Sequence, residues 1–92
     1  MKQDLAETIA LRALAWALTQ PDEIGGFLNA TGAAAGDLAG RAGDPLFLAA
    51  VLDFLLAEDR RVIAFCDAEG LDYGQPMQAR AALPGGDLVH WT

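Results

Sequence analysis

The residues from Pro45 to Ala57 read PLFLAAVLDFLLA, and Asp53 is their only charge. Asp44 supplies an acceptor for the first free backbone N–H groups of a helix, and Pro45 fits the first turn, where its missing N–H has no partner to lose. The helix that follows is apolar nearly all round, so it is buried nearly all round. The rest of the chain must therefore wall in a central helix over 45–57. A chain of 92 residues has length for one domain and none for a second core.

Those walls read as further helices. From about Gln3 to Thr19, Leu5, Ile9, Ala13 and Trp16 form one apolar stripe, and Leu11, Leu14 and Leu18 form a second. Asp4 and Glu7 have the spacing of a capping box at its start. Pro21, followed by Asp22 and Glu23, suits the first turn of a second helix that carries Ile24, Phe27 and Leu28 and runs to Thr31. Gly25 and Gly26 weaken that helix by about 1 kcal/mol each relative to alanine, and Gly32 ends it. A short, weak helix is expected over 35–42. Glu58–Asp59 opens another, which carries Val62, Ile63, Phe65 and Cys66 and stops at Gly70. A last helix starts between Asp72 and Pro76 and ends at Leu83. No segment alternates in the manner of a strand between hairpin turns. The expected fold class is all-α: a compact bundle of five or six helices over residues 1–86, with residues 87–92 as a C-terminal tail. Its expected core is Leu14, Trp16, Leu18, Phe27, Leu48, Val51, Leu52, Leu55, Phe65 and Leu83.

A shift of 38 residues lays Ile9–Gly36 over Phe47–Gly74 without a gap. Leu14, Leu18, Phe27, Gly32 and Gly36 then fall on Leu52, Leu56, Phe65, Gly70 and Gly74, while Trp16 meets Phe54 and Ile24 meets Val62. The matches are core positions and helix-stopping glycines, and helical repeat units have a similar period. The register predicts two three-helix repeats, 9–36 and 47–74, around a pseudo-two-fold axis. Chance similarity between two apolar helices, each followed by glycine, is the plainer alternative.

Charge narrows the function. Six basic residues face thirteen acidic ones, for a net charge of −7. Nucleic-acid binding needs cations that displace counterions from phosphates, and the only adjacent basic pair is Arg60–Arg61. Anionic lipid repels such a chain equally. Neither nucleic acid nor membrane is an expected direct partner. Cys66 is the single cysteine, so an internal disulfide or a cysteine-rich metal site is impossible. Asp4, Glu7 and Arg12 interrupt any signal-peptide apolar region. The longest uncharged stretch, Ile24 to Gly36, falls short of the roughly twenty apolar residues of a membrane span. The expected location is cytoplasmic.

Residue types that carry chemistry are few. His90, near the C-terminus, has no second histidine with which to form a metal pair. Cys66 follows Phe65 on an apolar helix and reads as a small buried hydrophobe, with Arg61 the one cation upstream that could activate it. Asp67, Glu69 and Asp72 surround Gly70, but counting from Asp67 puts glycine fourth and Gln78 twelfth, which fails the calcium-loop pattern. The glycines lack the lysine and the preceding strand of a phosphate-binding loop, and read as turns and close helix approaches. Catalytic residues, metal and cofactor are all expected to be absent.

Three runs, AETIALRALAWAL, FLNATG and RAGDPLFLAAVLDFLLAED, resemble a small all-helical bacterial family of about 90–100 residues, a domain of unknown function. The resemblance covers residues 6–83, and GDPLFLAAVLDFLL is its most specific part. No activity is assigned to that family, so it implies no functional residues here. Its members open the third helix with a Leu–Pro pair where this chain has Ala33–Ala34–Ala35–Gly36, which implies a frayed third helix.

The expected function is a small acidic helical protein–protein interaction or accessory module with an unknown protein partner or a second copy of itself. The alternative is an acidic nucleic-acid mimic that sequesters a DNA- or RNA-binding protein. The expected contact residues are Leu88, Val89 and Trp91, which follow a Pro–Gly–Gly break and include a large aromatic of the type that anchors interfaces. The competing expectation is that the tail folds back onto its own core. Deleting residues 87–92 decides: a docking tail leaves the melting temperature unchanged and abolishes association, whereas a drop of several degrees means that Trp91 belongs to the core.

Overall fold

The computed structural model describes residues 1–84. Six α-helices run through them: α1 (Gln3–Leu18), α2 (Ile24–Thr31), α3 (Leu38–Arg41), α4 (Pro45–Leu56), α5 (Asp59–Glu69) and α6 (Gln75–Ala81). A 3-10 turn, Ala35–Asp37, leads into α3, so the third helix is a single α-helical turn with an irregular start. No strand occurs among the described residues. Asp44 is extended and its carboxylate accepts from the Leu46 N–H at 3.0 Å, with Pro45 the first residue of α4. α1 packs against α4 and α6, which also pack against each other, while α2 and α5 flank α4.

Seven side chains of α4 are buried: Phe47, Leu48, Ala49, Val51, Leu52, Phe54 and Leu55. The helix is nonetheless not enclosed on every side. Leu46, Asp53 and Ala57 are exposed and Ala50 is half-buried, which leaves one strip at helical spacing open to solvent. Asp53 on that strip receives Arg80 Nε at 2.7 Å.

α1 departs from its expected pattern. Leu18, placed in the core by its spacing, is 38% exposed, and Leu5 and Leu11 are exposed as well. The buried face instead consists of Ala6, Ile9, Ala10, Ala13, Leu14, Trp16 and Ala17. Four alanines let the α1 backbone approach its neighbours closely. They centre the contact between Ile9 and Ala17, and Leu11 and Leu18 fall on its far edge. The capping box does not form either. Lys2 precedes the first turn without a side-chain bond, Asp4 lies inside that turn, and Glu7 accepts from Gln3 Nε2 at 2.9 Å. Pro21 to Glu23 form a turn, and α2 starts only at Ile24. The remaining nine expected core residues are buried.

Two edge-to-face aromatic pairs tie the halves together. Trp16 meets Phe65 with ring centroids 5.8 Å apart, and Phe27 meets Phe54 at 5.3 Å. A shift of 38 residues carries Trp16 onto Phe54 and Phe27 onto Phe65, so the two pairs exchange. The first long helix thus stacks on the second half's medium helix, and the reverse. Gly32 and Gly70, also related by that shift, end α2 and α5 with φ of 70° and 71°, a backbone region that side chains with a Cβ avoid. The third helices differ. α6 packs against both α1 and α4 and buries Pro76 and Ala79, while α3 contributes only Leu38 to the core and has the adjoining 3-10 turn as its main neighbour.

The packing makes two variants informative. Leu52 is fully buried, and Leu52→Ala should cost about 2–5 kcal/mol of unfolding free energy. Gly70→Ala should cost about 1–2 kcal/mol, because alanine has to adopt a left-handed conformation there. Urea unfolding followed by circular dichroism measures both. A loss below about 1 kcal/mol for Leu52→Ala would contradict the enclosed position of α4.

Candidate functional site

α5 carries the single cysteine on its inward face and borders both the main polar cluster and an exposed apolar groove. Its inward face holds Phe65 and Cys66, as the apolar spacing requires. The Cys66 Sγ donates to the Asp72 carbonyl at 3.5 Å, and the N–H groups of Gly70 and Leu71 both donate to the Cys66 carbonyl. Burial pushes the thiol pKa up, and the negative charges of Asp67 and Asp72 push it further the same way. A thiol so placed is a poor nucleophile. Arg61 does not approach it to lower the pKa, because its guanidinium is engaged on the other side of α5.

The three acids around Gly70 diverge. Asp67 accepts from the Tyr73 hydroxyl at 2.7 Å, a bond that, with the carboxylate's charge, raises the phenol pKa. Glu69 takes Arg12 Nε at 2.8 Å on its carboxylate and Arg12 Nη2 at 2.9 Å on its carbonyl. The Asp72 N–H donates to Gln75 Oε1. Among the described residues, no three histidine, cysteine or acidic side chains come together in a metal-binding group.

The strongest polar cluster was not among the groups singled out from the sequence. Glu23, only 7% exposed, receives Arg60 Nη1 at 2.6 Å on one carboxylate oxygen and Arg61 Nε at 2.9 Å on the other. Arg61 also donates through Nη1 to the Phe54 carbonyl at 3.0 Å, and its guanidinium carbon lies 3.9 Å from the centre of the Phe54 ring. Arg60 and Arg61 both reach Glu58 as well. The cluster joins the turn before α2, the last turn of α4 and the first turn of α5. The Phe54 carbonyl is one of those that a helix end leaves without an internal partner, so Arg61 completes α4 as well as pairing a charge. Hydrogen bonds from Arg60 and Arg61, with their charges, hold the Glu23 carboxyl below its ordinary pKa despite its burial. One sequence signal does exist: Glu23 and Arg61 occupy equivalent positions of the two halves with opposite charge.

On the outward side, α5 and α6 lean separately on α4 and leave a groove of about 370 Å³ between them. Leu56, Val62, Ile63, Tyr73 and Met77 give it apolar walls, and Asp59 is its only charged lining residue. Ile63, Tyr73 and Met77 are 46%, 56% and 67% exposed. Beside it, sharing Tyr73, lies a shallower hollow of about 290 Å³ that Asp67 and Asp72 line. The groove was not legible in the sequence, where Ile63 is one of several apolar residues on its helix and no spacing singles out Met77. The contact residues expected from the sequence, Leu88, Val89 and Trp91, lie outside the described residues, as does His90.

A family model described as a protein of unknown function, DUF3572, matches residues 3–86. The chain belongs to the DUF3572 family. The match takes in all six helices and both halves of the internal similarity, so the groove and the Glu23 cluster lie within the DUF3572 region. No curated protein and no solved structure matches the chain. No helix among the described residues is long and apolar enough to cross a membrane.

The Glu23 cluster has a pH signature. The folded-state pKa of Glu23 lies below the ordinary 4.5, so its contribution to stability is complete above that pH and is lost as the pH falls through the lowered value. The urea midpoint should fall as the pH is taken below 4.5, and Glu23→Gln should flatten that fall. Arg61→Ala should cost about 3 kcal/mol at neutral pH, because it leaves a buried carboxylate short of a partner. Arg60→Ala, at a solvent-exposed guanidinium, should cost much less. Equal losses for the two arginines would show that the cluster is held together by charge alone.

Proposed function

We propose that this chain is a small acidic protein–protein interaction module without catalytic activity that works in the cytoplasm and takes a protein, rather than a nucleic acid or a membrane, as its direct partner. The observation that carries this reading is the groove between α5 and α6. A domain of this size has few large apolar side chains to spare, yet Ile63, Tyr73 and Met77 line one open cleft. Contiguous exposed apolar surface is the usual mark of an association site. Tyrosine and methionine are both enriched in interface cores.

The described polar groups add support from the other direction. The thiol of Cys66 and the phenol of Tyr73 are both pushed up, away from their reactive anions. Arg12, Arg60, Arg61 and Arg80 are all paired with carboxylates of the same chain. Those pairs hold the fold together, and they leave the acidic excess to dominate the surface. Mimicry of a nucleic acid draws on the same charge balance but makes no use of the apolar groove, and the acids that remain are scattered rather than arrayed.

The test is to use the full chain as bait in an extract of its native cells, then to rebuild the complex from purified components. One partner should bind at fixed stoichiometry, and the complex should weaken only several-fold between about 0.05 and 0.5 M salt, since apolar burial resists screening. A complex that dissolves steeply over that range, with a partner that otherwise binds DNA or RNA, would favour mimicry. A chain that stays free of every partner would overturn the proposal.

A further inference from the structure

The groove also carries information about what it binds. Its floor and walls are apolar, while the charges around it have a single sign. Asp59 lines the groove itself, and Asp67 and Asp72 line the adjoining hollow across Tyr73. The nearest cations in sequence, Arg60 and Arg61, are turned away and bound to Glu23 and Glu58. Asp59 itself makes no ion pair among the described residues. The groove thus offers an apolar slot with acidic margins and no cation to neutralise them.

We propose that the groove between α5 and α6 docks a cationic amphipathic helix of a partner protein, whose apolar side chains enter between Ile63 and Met77 while its flanking lysines or arginines meet Asp59 at the start of α5 and Asp67 and Asp72 near its end. This rests on the interaction-module reading and names the partner's chemistry. A helix suits the slot because two helical elements border it, and a laid-in helix presents anchors at i, i+4 and i+7 to such a groove. Methionine at the rim adapts its unbranched side chain to anchors of different shape. Charge disfavours the two other occupants. A second copy brings another −7, and the chain's own residues 85–92 carry Asp87 and neither lysine nor arginine.

The probe is a synthetic helix of about fifteen residues, with leucines on one face and lysines on both flanks. It is accompanied by a version with glutamate in place of lysine and by one with serine in place of leucine. Titrated into the full chain, the lysine–leucine peptide should shift the amide signals of Leu56, Val62, Ile63, Tyr73 and Met77, and both control peptides should bind at least about tenfold more weakly. Met77→Glu and Ile63→Glu, at exposed positions that leave the helices intact by circular dichroism, should each weaken binding by about tenfold or more. Leu11→Glu, on the exposed edge of α1, should not. Asp59→Lys should weaken binding several-fold at low salt and reduce its salt dependence.

Several results would overturn the assignment. One is a glutamate peptide that binds as well as the lysine peptide, and another is signal shifts that fall elsewhere than the groove. Deletion of 87–92 that strengthens peptide binding about tenfold would make the chain's own tail the occupant. A concentration-dependent dimer that Met77→Glu abolishes would make a second copy the occupant. A native partner held equally well by wild type and Met77→Glu would reject the groove and leave the interaction reading standing. Peptide binding at the groove without any native partner would do the reverse.

Discussion

The central helix α4 cannot be solvated, and the rest of the molecule follows from that. Seven of its side chains are buried, so α1, α2, α5 and α6 are all placed by contact with it. The shielding succeeds on all but one strip, where Ala50, Asp53 and Ala57 offer small or polar side chains and Leu46, in the first turn, is the one large apolar side chain left exposed. α1 also contacts α2, α5 and α6, but α5 and α6 each reach α4 without packing appreciably on each other. α5 and α6 do not close over their shared boundary, and the groove is what remains between them. The candidate binding surface is thus a by-product of how a short chain encloses one apolar helix.

Polar chemistry is concentrated at the seams of that enclosure. Arg61 reaches the carbonyl and ring of Phe54 on α4, a carboxylate before α2 and the Glu58 carboxylate, four attachments from one side chain. Arg12 ties α1 to the end of α5 through Glu69, and Arg80 ties α6 to α4 through Asp53. Guanidinium suits this work because it presents several donors in a fixed plane and also stacks on aromatic faces. Lysine at position 61 would keep the charge and lose both the fork and the stack.

What was legible in the sequence is mostly local. Asp44–Pro45 announces α4 because capping and proline geometry act within one turn. Gly32 and Gly70 announce helix ends for the same reason, through the backbone conformation that only glycine adopts readily. The periodicity of α1 was legible as amphipathic but not as to which face wins, since leucines outrank alanines on any hydrophobic scale. Close approach reversed that order and put Leu18 outside. Glu23 looked like a residue that favours a helix start, and its tertiary partners outweighed that preference. The groove depends on two helices failing to meet, a property that no pattern within either helix encodes. The pairs Trp16–Phe65 and Phe27–Phe54 are interchanged by the same 38-residue shift that aligns the two stretches of sequence.

The position of α6 has a consequence for how the molecule comes into being. Because α6 lies against both α1 and α4, and Leu83 just beyond it is buried, the core cannot be sealed until synthesis has passed Leu83. A growing chain that has just released α4 already carries its most apolar segment without its last wall. Synthesis proceeds at about 5–20 residues per second, so Phe47, Leu48 and Val51 are left incompletely covered for a time set by the ribosome rather than by folding. Over that interval the most apolar segment of the chain faces water on the side that α6 later covers.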